Sequence, residues 1–370
     1  MKFTIFVTQQ CNLRCSYCYI EKKQKTISFT TAEKVIDFIF KKSILGHEEI
    51  NIGFFGGEPL LEFKLIKKIT NLIYDHPFYN PDRVNLSIVS NGTIFSNEIA
   101  QFIIDNKIEF GISCDGPPFI QDKYRFTIRG GETSHLVEKN IKRALYLLPN
   151  LMVNAVYHPD TLIYLPETVK YFSSLGIKQI YLNPDFSAHW GKKDIDLLQD
   201  IYDKIGSIYT KYYLDQKPHF ISLIDSKISV ILQEGYNNLD RCRMGEAEFA
   251  FTTQGDIYPC ERLVGNGNND HCIGNVFDQI MPSSMSCHLA EGSDLNKECL
   301  TCSLKDYCMN WCGCSNYMTS GFYNRVSSFL CASEKAAIKT SFNVLQNLGE
   351  KLGPVFFEYL GRQSIVNSTA

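Results

Sequence analysis

Residues 11–19 read Cys11-Asn12-Leu13-Arg14-Cys15-Ser16-Tyr17-Cys18-Tyr19. They follow Phe3–Thr8, an apolar, β-branched and aromatic run that predicts a strand handing over to a loop. Three thiols on one loop, spaced C-x3-C-x2-C, cannot close a four-ligand metal site. Zinc held this way keeps an open, catalytic-type position, and a [4Fe–4S] cubane keeps one iron for a non-protein ligand.

Outward from that loop, strand and helix patterns alternate. Ile50–Phe55, Val84–Val89, Glu109–Ser113, Met152–Tyr157 and Gln179–Leu182 predict further strands. Helical spacing fills the gaps. Thr30 with Glu33 offers a capping box above a stripe of Val35, Ile36, Ile39 and Phe40, and other helices are expected near 61–75, 96–106, 134–148 and 164–175. Six βα units in series predict a parallel sheet with right-handed crossovers. It either closes as a partial barrel or lies open and doubly wound. In both cases ligands gather at the C-terminal strand ends. Two helical stretches follow (195–213 and 221–233). Beyond Cys242, Gly, Asn and Cys rise and the strands shorten, which suits a core stapled by metal. Residues 333–349 predict an amphipathic helix, with QSIVNSTA as a frayed tail. The run Glu21–Lys25 reads as a solvated loop.

Composition narrows the partners. The chain has 370 residues, 44% apolar and 21% charged, which argues against disorder. A net charge of −3 provides no basic field for nucleic acid or an anionic membrane. No stretch approaches the ~18 apolar residues of a membrane span, and the N-terminal apolar run is too short for a signal peptide. A cytoplasmic location is expected. Of 14 cysteines, four fall in residues 1–241 and ten in residues 242–331. In that compartment, crowded cysteines bind metal or do redox work rather than form disulfides.

Four motifs lie at successive strand ends. They are the three-Cys loop, Gly56-Gly57-Glu58-Pro59, Ser90-Asn91-Gly92-Thr93, and Ser113-Cys114-Asp115-Gly116-Pro117 with Arg125 beyond. Together they resemble the radical S-adenosylmethionine (SAM) superfamily over residues 2–185. The resemblance implies an α/β fold with a partial (β/α)6 TIM-like barrel. It implies that Cys11, Cys15 and Cys18 hold a [4Fe–4S] cluster whose fourth iron chelates SAM, with Tyr19 near the adenine. Gly56, Gly57 and Glu58 would meet the methionine amino group, and Ser90 and Asn91 would contact the cofactor unless they only shape a strand-end turn. Ser113 and Arg125 would hold the carboxylate, which suits an Arg fork. The implied chemistry is one-electron cleavage of SAM and hydrogen abstraction from a substrate.

The later cysteines run Cys242-x12-Gly255-x4-Cys260, then Cys299-x2-Cys302-x5-Cys308-x3-Cys312, then x18-Cys331. This order resembles the SPASM extension of radical SAM proteins, which carries two auxiliary [4Fe–4S] clusters; a pair of zinc knuckles is the other reading. The resemblance implies Cys242, Cys260 and Cys312 on auxiliary cluster I, and Cys299, Cys302, Cys308 and Cys331 on auxiliary cluster II. Three cubanes present about twelve iron corners. With one taken by SAM, the ten motif cysteines fall one short. Cys272 is the preferred replacement, on the loop leaving Cys260, and an open iron that substrate ligates is the alternative. Cys114, Cys287 and Cys314 stay unassigned. Sulfatase-maturating members place a further Cys where this chain has Glu248, and an acidic base where it has Glu261. Glu261 is thus a candidate base, or a partner of Arg262.

These readings set expected domains of 1–215 (barrel), 216–241 (helical connection), 242–335 (SPASM) and 336–370 (C-terminal helix and tail). The expected function is maturation of a ribosomally made peptide, forming a thioether or carbon–carbon cross-link. The alternative is oxidation of Cys or Ser to formylglycine by a sulfatase-maturating enzyme; a non-catalytic metal scaffold is a third class. Expected partners are a peptide or protein substrate and a flavodoxin- or ferredoxin-type electron donor. Leader recognition, if any, is expected to use a separate leader-binding protein or another surface, since no leader-binding domain fits ahead of residue 11. No nucleic acid and no membrane are expected.

Overall fold

The computed structural model describes residues 1–44, 48–237, 240–265, 270–278 and 296–368. In chain order it forms β1 (Lys2–Thr8), α1 (Phe29–Ser43), β2 (Ile50–Gly56), α2 (Phe63–Tyr74), β3 (Val84–Ser90), α3 (Asn97–Asp105), β4 (Glu109–Ser113), α4 (Pro118–Tyr124) and α5 (Ser134–Leu147). Next come β5 (Met152–Tyr157), α6 (Leu165–Ser174), β6 (Gln179–Pro184), α7 (Lys192–Leu214), β7 (Phe220–Ile221), α8 (Ser222–Leu232), β8 (Glu248–Phe251), β9 (Asp256–Tyr258) and β10 (Gly274–Asn275). The last helices are α9 (Lys297–Leu300), α10 (Gly313–Ser320), α11 (Ser328–Leu352) and α12 (Pro354–Ser368). The chain divides into two compact units, Met1–Ser113 with Asp122–Leu148 and Arg243–Glu291, and Cys114–Gln121 with Pro149–Cys242 and Gly292–Ala370.

In the first unit β1 runs parallel to β2 on one side and to β8 on the other, with Lys2 beside both Asn51 and Glu248. The parallel ladder continues through β3 to β4, while β9 and β10 pair antiparallel beyond β8. Because β1 is flanked on both sides, six of its seven residues are buried, as expected where a parallel strand is covered on both faces. Phe3 stacks on Phe249 at 5.9 Å between ring centroids, and Phe38 of α1 meets Phe251 edge-on at 5.4 Å. Helix α1 buries the expected stripe of Val35, Ile36, Ile39 and Phe40. Its cap differs from expectation. Ser28 accepts from Thr31 N at 2.9 Å, and Thr30 lies inside the first turn. Ser28 has the extended backbone a cap requires, so the helix begins two residues early.

The second unit pairs β5, β6 and β7 in parallel; α8 packs on β6 and β7, and α11 packs on α7 and α8. Tyr202 of α7 ties these layers together, its hydroxyl lying 2.7 Å from Tyr157 Oη and 2.8 Å from Ser333 Oγ. Helix α11 exceeds the expected 333–349 at both ends. The supposed tail continues as α12 to Ser368, with Phe356 packing edge-on against Tyr213. No helix among the described residues is long and apolar enough to cross a membrane.

Candidate functional site

The three-Cys loop begins where β1 ends and is pinned from two directions. Leu13 bridges to Thr127, Arg14 N donates to Phe126 O and Ser16 N donates to Tyr124 O, so the segment 124–127 backs the loop. From the other side, Gly57 N donates to Thr8 O and Glu58 N to Gln10 O, each at 2.8 Å. A Cβ at Gly57 would lie 2.0 Å from Gln10 O, and one at Gly56 would lie 2.1 Å from Thr8 O. The glycines therefore let this strap lie against the entry to Cys11.

Glu58 is fully buried and joins three strand ends. Its carboxylate accepts Leu60 N and Ser90 Oγ at 3.0 Å, and Asn91 N at 2.6 Å. Burial outweighs these donors and lifts its pKa to about 7. Asn91 Nδ2 reaches Asn12 Oδ1 at 2.9 Å and Cys11 Sγ at 3.7 Å, so the turn after β3 touches the loop after β1. Arg125 lies over the Tyr17 ring, 5.3 Å from its centroid. A cavity of ≈ 250 Å³ opens here, lined by Cys11, Asn12, Arg14 and Lys22 among others. Sequence reasoning missed Lys22, which donates to Cys18 Sγ at 2.9 Å from the supposed solvated run.

Tyr19 and Cys18 pack against a buried group of Phe6, Ile20, Ala250, Tyr258 and Val264, and Cys272 packs against the same group. Burial and then Glu261 push the Tyr19 hydroxyl well above its ordinary pKa. Glu261 makes its ion pair with Lys2 at 3.2 Å, and Lys2 pairs equally with Glu248. Burial opposes ionisation of Glu261, but Lys2 and then Arg262 outweigh it and hold the carboxyl at about 2. Lys2 was invisible as a partner because it lies 259 residues away. Gly255 turns the β8–β9 hairpin at φ +87°, where a Cβ would meet Val276 Cγ2 at 2.7 Å; this accounts for a glycine ahead of Cys260.

Cys260 and Cys272 belong to the first unit, Cys242 and Cys312 to the second. Cys312 Sγ lies 3.7 Å from Cys314 Sγ, so one of the three unassigned cysteines sits beside a motif cysteine. The other four motif cysteines, Cys299, Cys302, Cys308 and Cys331, line one small apolar cavity in the second unit. Four thiols lining a single hollow are the ligand types that an iron–sulfur cluster takes; the three side chains whose ligand atoms lie within 4.8 Å of one another among the described residues are instead Glu248, Cys260 and Glu261. None of the thirteen described cysteines is in a disulfide, and Cys287 lies outside the described residues.

Comparison with known proteins gives this arrangement a family. Residues 5–172 match the radical SAM superfamily. An uncharacterized protein of Methanocaldococcus jannaschii is 30% identical over 279 residues, 74% of this chain and 87% of that protein. The chain belongs to the radical SAM superfamily. It is a radical SAM enzyme, and that superfamily uses SAM and a [4Fe–4S] cluster. A cysteine-type anaerobic sulfatase-maturating enzyme of Clostridium novyi is 24% identical over 369 residues, covering 93% of this chain and 96% of that one. The solved structure of anSMEcpe with bound AdoMet and Cp18Cys peptide superposes with a TM-score of 0.78 at 20% identity, over 95% of this chain and 99% of that one. SuiB of Streptococcus suis bound to its precursor peptide SuiA gives 0.60 at 16% identity, over 89% and 75%. The fold is thus the radical SAM fold in a mixed α/β chain with a helical C-terminus, and sulfatase-maturating enzymes are among the proteins it resembles.

Proposed function

We propose that this radical SAM enzyme matures a ribosomally made peptide, joining two side chains through a thioether or carbon–carbon bond. The observation that carries this reading is the Lys2–Glu248–Glu261 group. Glu248 stands where sulfatase-maturating members have a further cysteine, and Lys2 engages the carboxylate that would otherwise serve as base. The supporting set at the SAM cluster is Cys11, Cys15 and Cys18, with Tyr19, Gly56, Gly57, Glu58, Ser90, Asn91, Ser113 and Arg125 around SAM. When bound, the cluster and SAM supply a hydrogen-abstracting radical. The protein's part is to fix the loop through Gly57 and Glu58 and to exclude water from the strand ends.

Two further [4Fe–4S] clusters complete the reading, one on Cys242, Cys260 and Cys312 with Cys272 or substrate, the other on Cys299, Cys302, Cys308 and Cys331. A flavodoxin- or ferredoxin-type donor supplies the electron, and the enzyme works in the cytoplasm, served where needed by a leader-binding protein. Formylglycine formation is the second reading, favoured by the likeness in length to the Clostridium novyi protein and by an acidic residue at position 261.

One experiment separates them. Anaerobically reconstituted enzyme, SAM and dithionite are incubated with a Cys-containing precursor peptide drawn from the open reading frames flanking this gene, and separately with a sulfatase-derived peptide. Loss of two hydrogens with an internal cross-link in the first supports cross-linking. A hydrazine-trappable aldehyde in the second, with the first unchanged, overturns it.

A further inference from the structure

Lys227 has no role in the chemistry described so far, yet it is the most deeply buried lysine in its unit, its side chain 3% exposed. It comes from α8 and its Nζ makes three contacts. It donates to Glu334 Oε2 at 2.7 Å, to Tyr307 O at 3.3 Å and to Tyr236 Oη at 3.4 Å. The same Glu334 oxygen accepts Met309 N. Tyr307 and Met309 are the residues on either side of Cys308, so the ion pair grips both peptide groups flanking that thiol. Glu334 also stands three residues after Cys331 on α11, one turn along the same helix face. The Lys227–Glu334 pair therefore links two of the four cysteines that line the apolar cavity.

An ion pair whose lysine is buried and whose Glu334 is half-buried is weakly justified as a source of stability. Desolvating both charges offsets most of their attraction, and apolar replacements of such pairs are often neutral or better. Burial works against the lysine's charge, but Glu334 more than compensates and keeps it protonated. What this pair provides that an apolar pair could not is a fixed charge of each sign beside a metal ligand. Reduction potentials of iron–sulfur clusters respond to nearby net charge and to hydrogen bonds around the sulfurs.

We propose that Lys227 and Glu334 are positioning residues for the four-cysteine site of the second unit, clasping Cys308 between its flanking peptide groups and setting the reduction potential of the cluster held there. The proposal rests on a cluster occupying Cys299, Cys302, Cys308 and Cys331. The two charges act in opposition. Removing the cation leaves an uncompensated carboxylate, which favours the oxidised cluster and lowers the potential. Removing the anion leaves an ammonium and raises it.

The test is an anaerobic redox titration of the full-length reconstituted protein, followed by electron paramagnetic resonance, with iron counted per chain. Lys227→Met should move one of the auxiliary signals to lower potential, Glu334→Gln should move the same signal upward, and Lys227→Arg should restore the wild-type position. The signals of the remaining clusters should stay in place. Unmoved potentials, or shifts of the same sign in Lys227→Met and Glu334→Gln, overturn the proposal. If Lys227→Met does not fold, an upward shift in Glu334→Gln with Lys227→Arg at the wild-type position decides it, and an unmoved Glu334→Gln overturns it. Failure of the underlying cluster assignment looks different. Wild-type protein would then hold about eight irons or fewer and lack one of the two auxiliary signals.

Discussion

Replacing Gly57 with Ala tests whether the strap after β2 sets the position of the three-Cys loop. The new Cβ would lie 2.0 Å from Gln10 O, 2.5 Å from Gln10 C and 2.9 Å from Gln9 O, all backbone atoms that no rotamer can move aside. Relaxing these contacts to about 3.5 Å requires the strap and the end of β1 to part by about 1.5 Å. That separation sacrifices the hydrogen bonds from Gly57 N to Thr8 O and from Glu58 N to Gln10 O. At their usual net worth, the loss is about 1–3 kcal/mol. Gln10 precedes Cys11, so the displacement passes straight into the first cysteine of the loop. Misplacing a reacting group by ~1 Å can cost ~100-fold in rate. The assay is anaerobic 5′-deoxyadenosine formation with SAM and dithionite, with iron counted in the same sample. Gly349→Ala is the control, because nothing lies within 4 Å of a Cβ there. Gly57→Ala should turn over roughly 100-fold more slowly, or lose iron outright. Wild-type rate and iron content in Gly57→Ala would refute the reasoning.

Three other outcomes are expected. Glu58 is lifted to about 7 from 4.5, so between those values the folded chain binds the extra proton and stability falls as pH rises; denaturant unfolding of the apoprotein at pH 5 and pH 8 should differ by up to about 3 kcal/mol, and Glu58→Gln should flatten that slope. Glu261 is held at about 2, so its pairing stabilises the fold above pH 4.5 and is lost as pH falls toward 2; Lys2→Met should move the acid unfolding transition to higher pH, and an unmoved transition would show that the pair contributes nothing. If Cys272 completes auxiliary cluster I, Cys272→Ala should reduce iron loading while Cys314→Ala leaves it intact. The reverse pattern would assign the role to Cys314, the neighbour of Cys312.

The sequence made the βα order legible because each buried strand is a compact apolar run and each helix repeats its stripe. It made the three-Cys loop legible because its ligand types sit within eight residues. The start of α1 was not legible, since Ser28, Thr30 and Thr31 are all capping types and only the backbone at Ser28 decides among them. Helix α12 was hidden because its closing residues, Gln363 to Ser368, are mostly polar or β-branched and signal fraying. The partners of Glu261 and Cys308 were hidden for a different reason. Lys2 and Lys227 come from elements far along the chain, and single-sequence spacing carries no information about which distant charges meet.

The pairing of β1 with β8 has a consequence for how the chain is made. The two strands sit side by side in the first unit, yet 246 residues separate Lys2 from Glu248. During synthesis β1 emerges ahead of β2 and can dock on it once β2 follows, but its other edge stays open until the β8–β9 hairpin has left the ribosome. That edge bears Phe3 and Ile5, the apolar kind of strand that recruits foreign chains when unpaired. Contacts this distant in sequence form late, after the large cost of closing the intervening chain. A fragment stopped ahead of residue 248 would keep every residue of the SAM motifs and still present an unfinished sheet. The cysteine-rich stretch is therefore needed twice, first to seal the open edge of β1, and only afterwards for the metal it gathers.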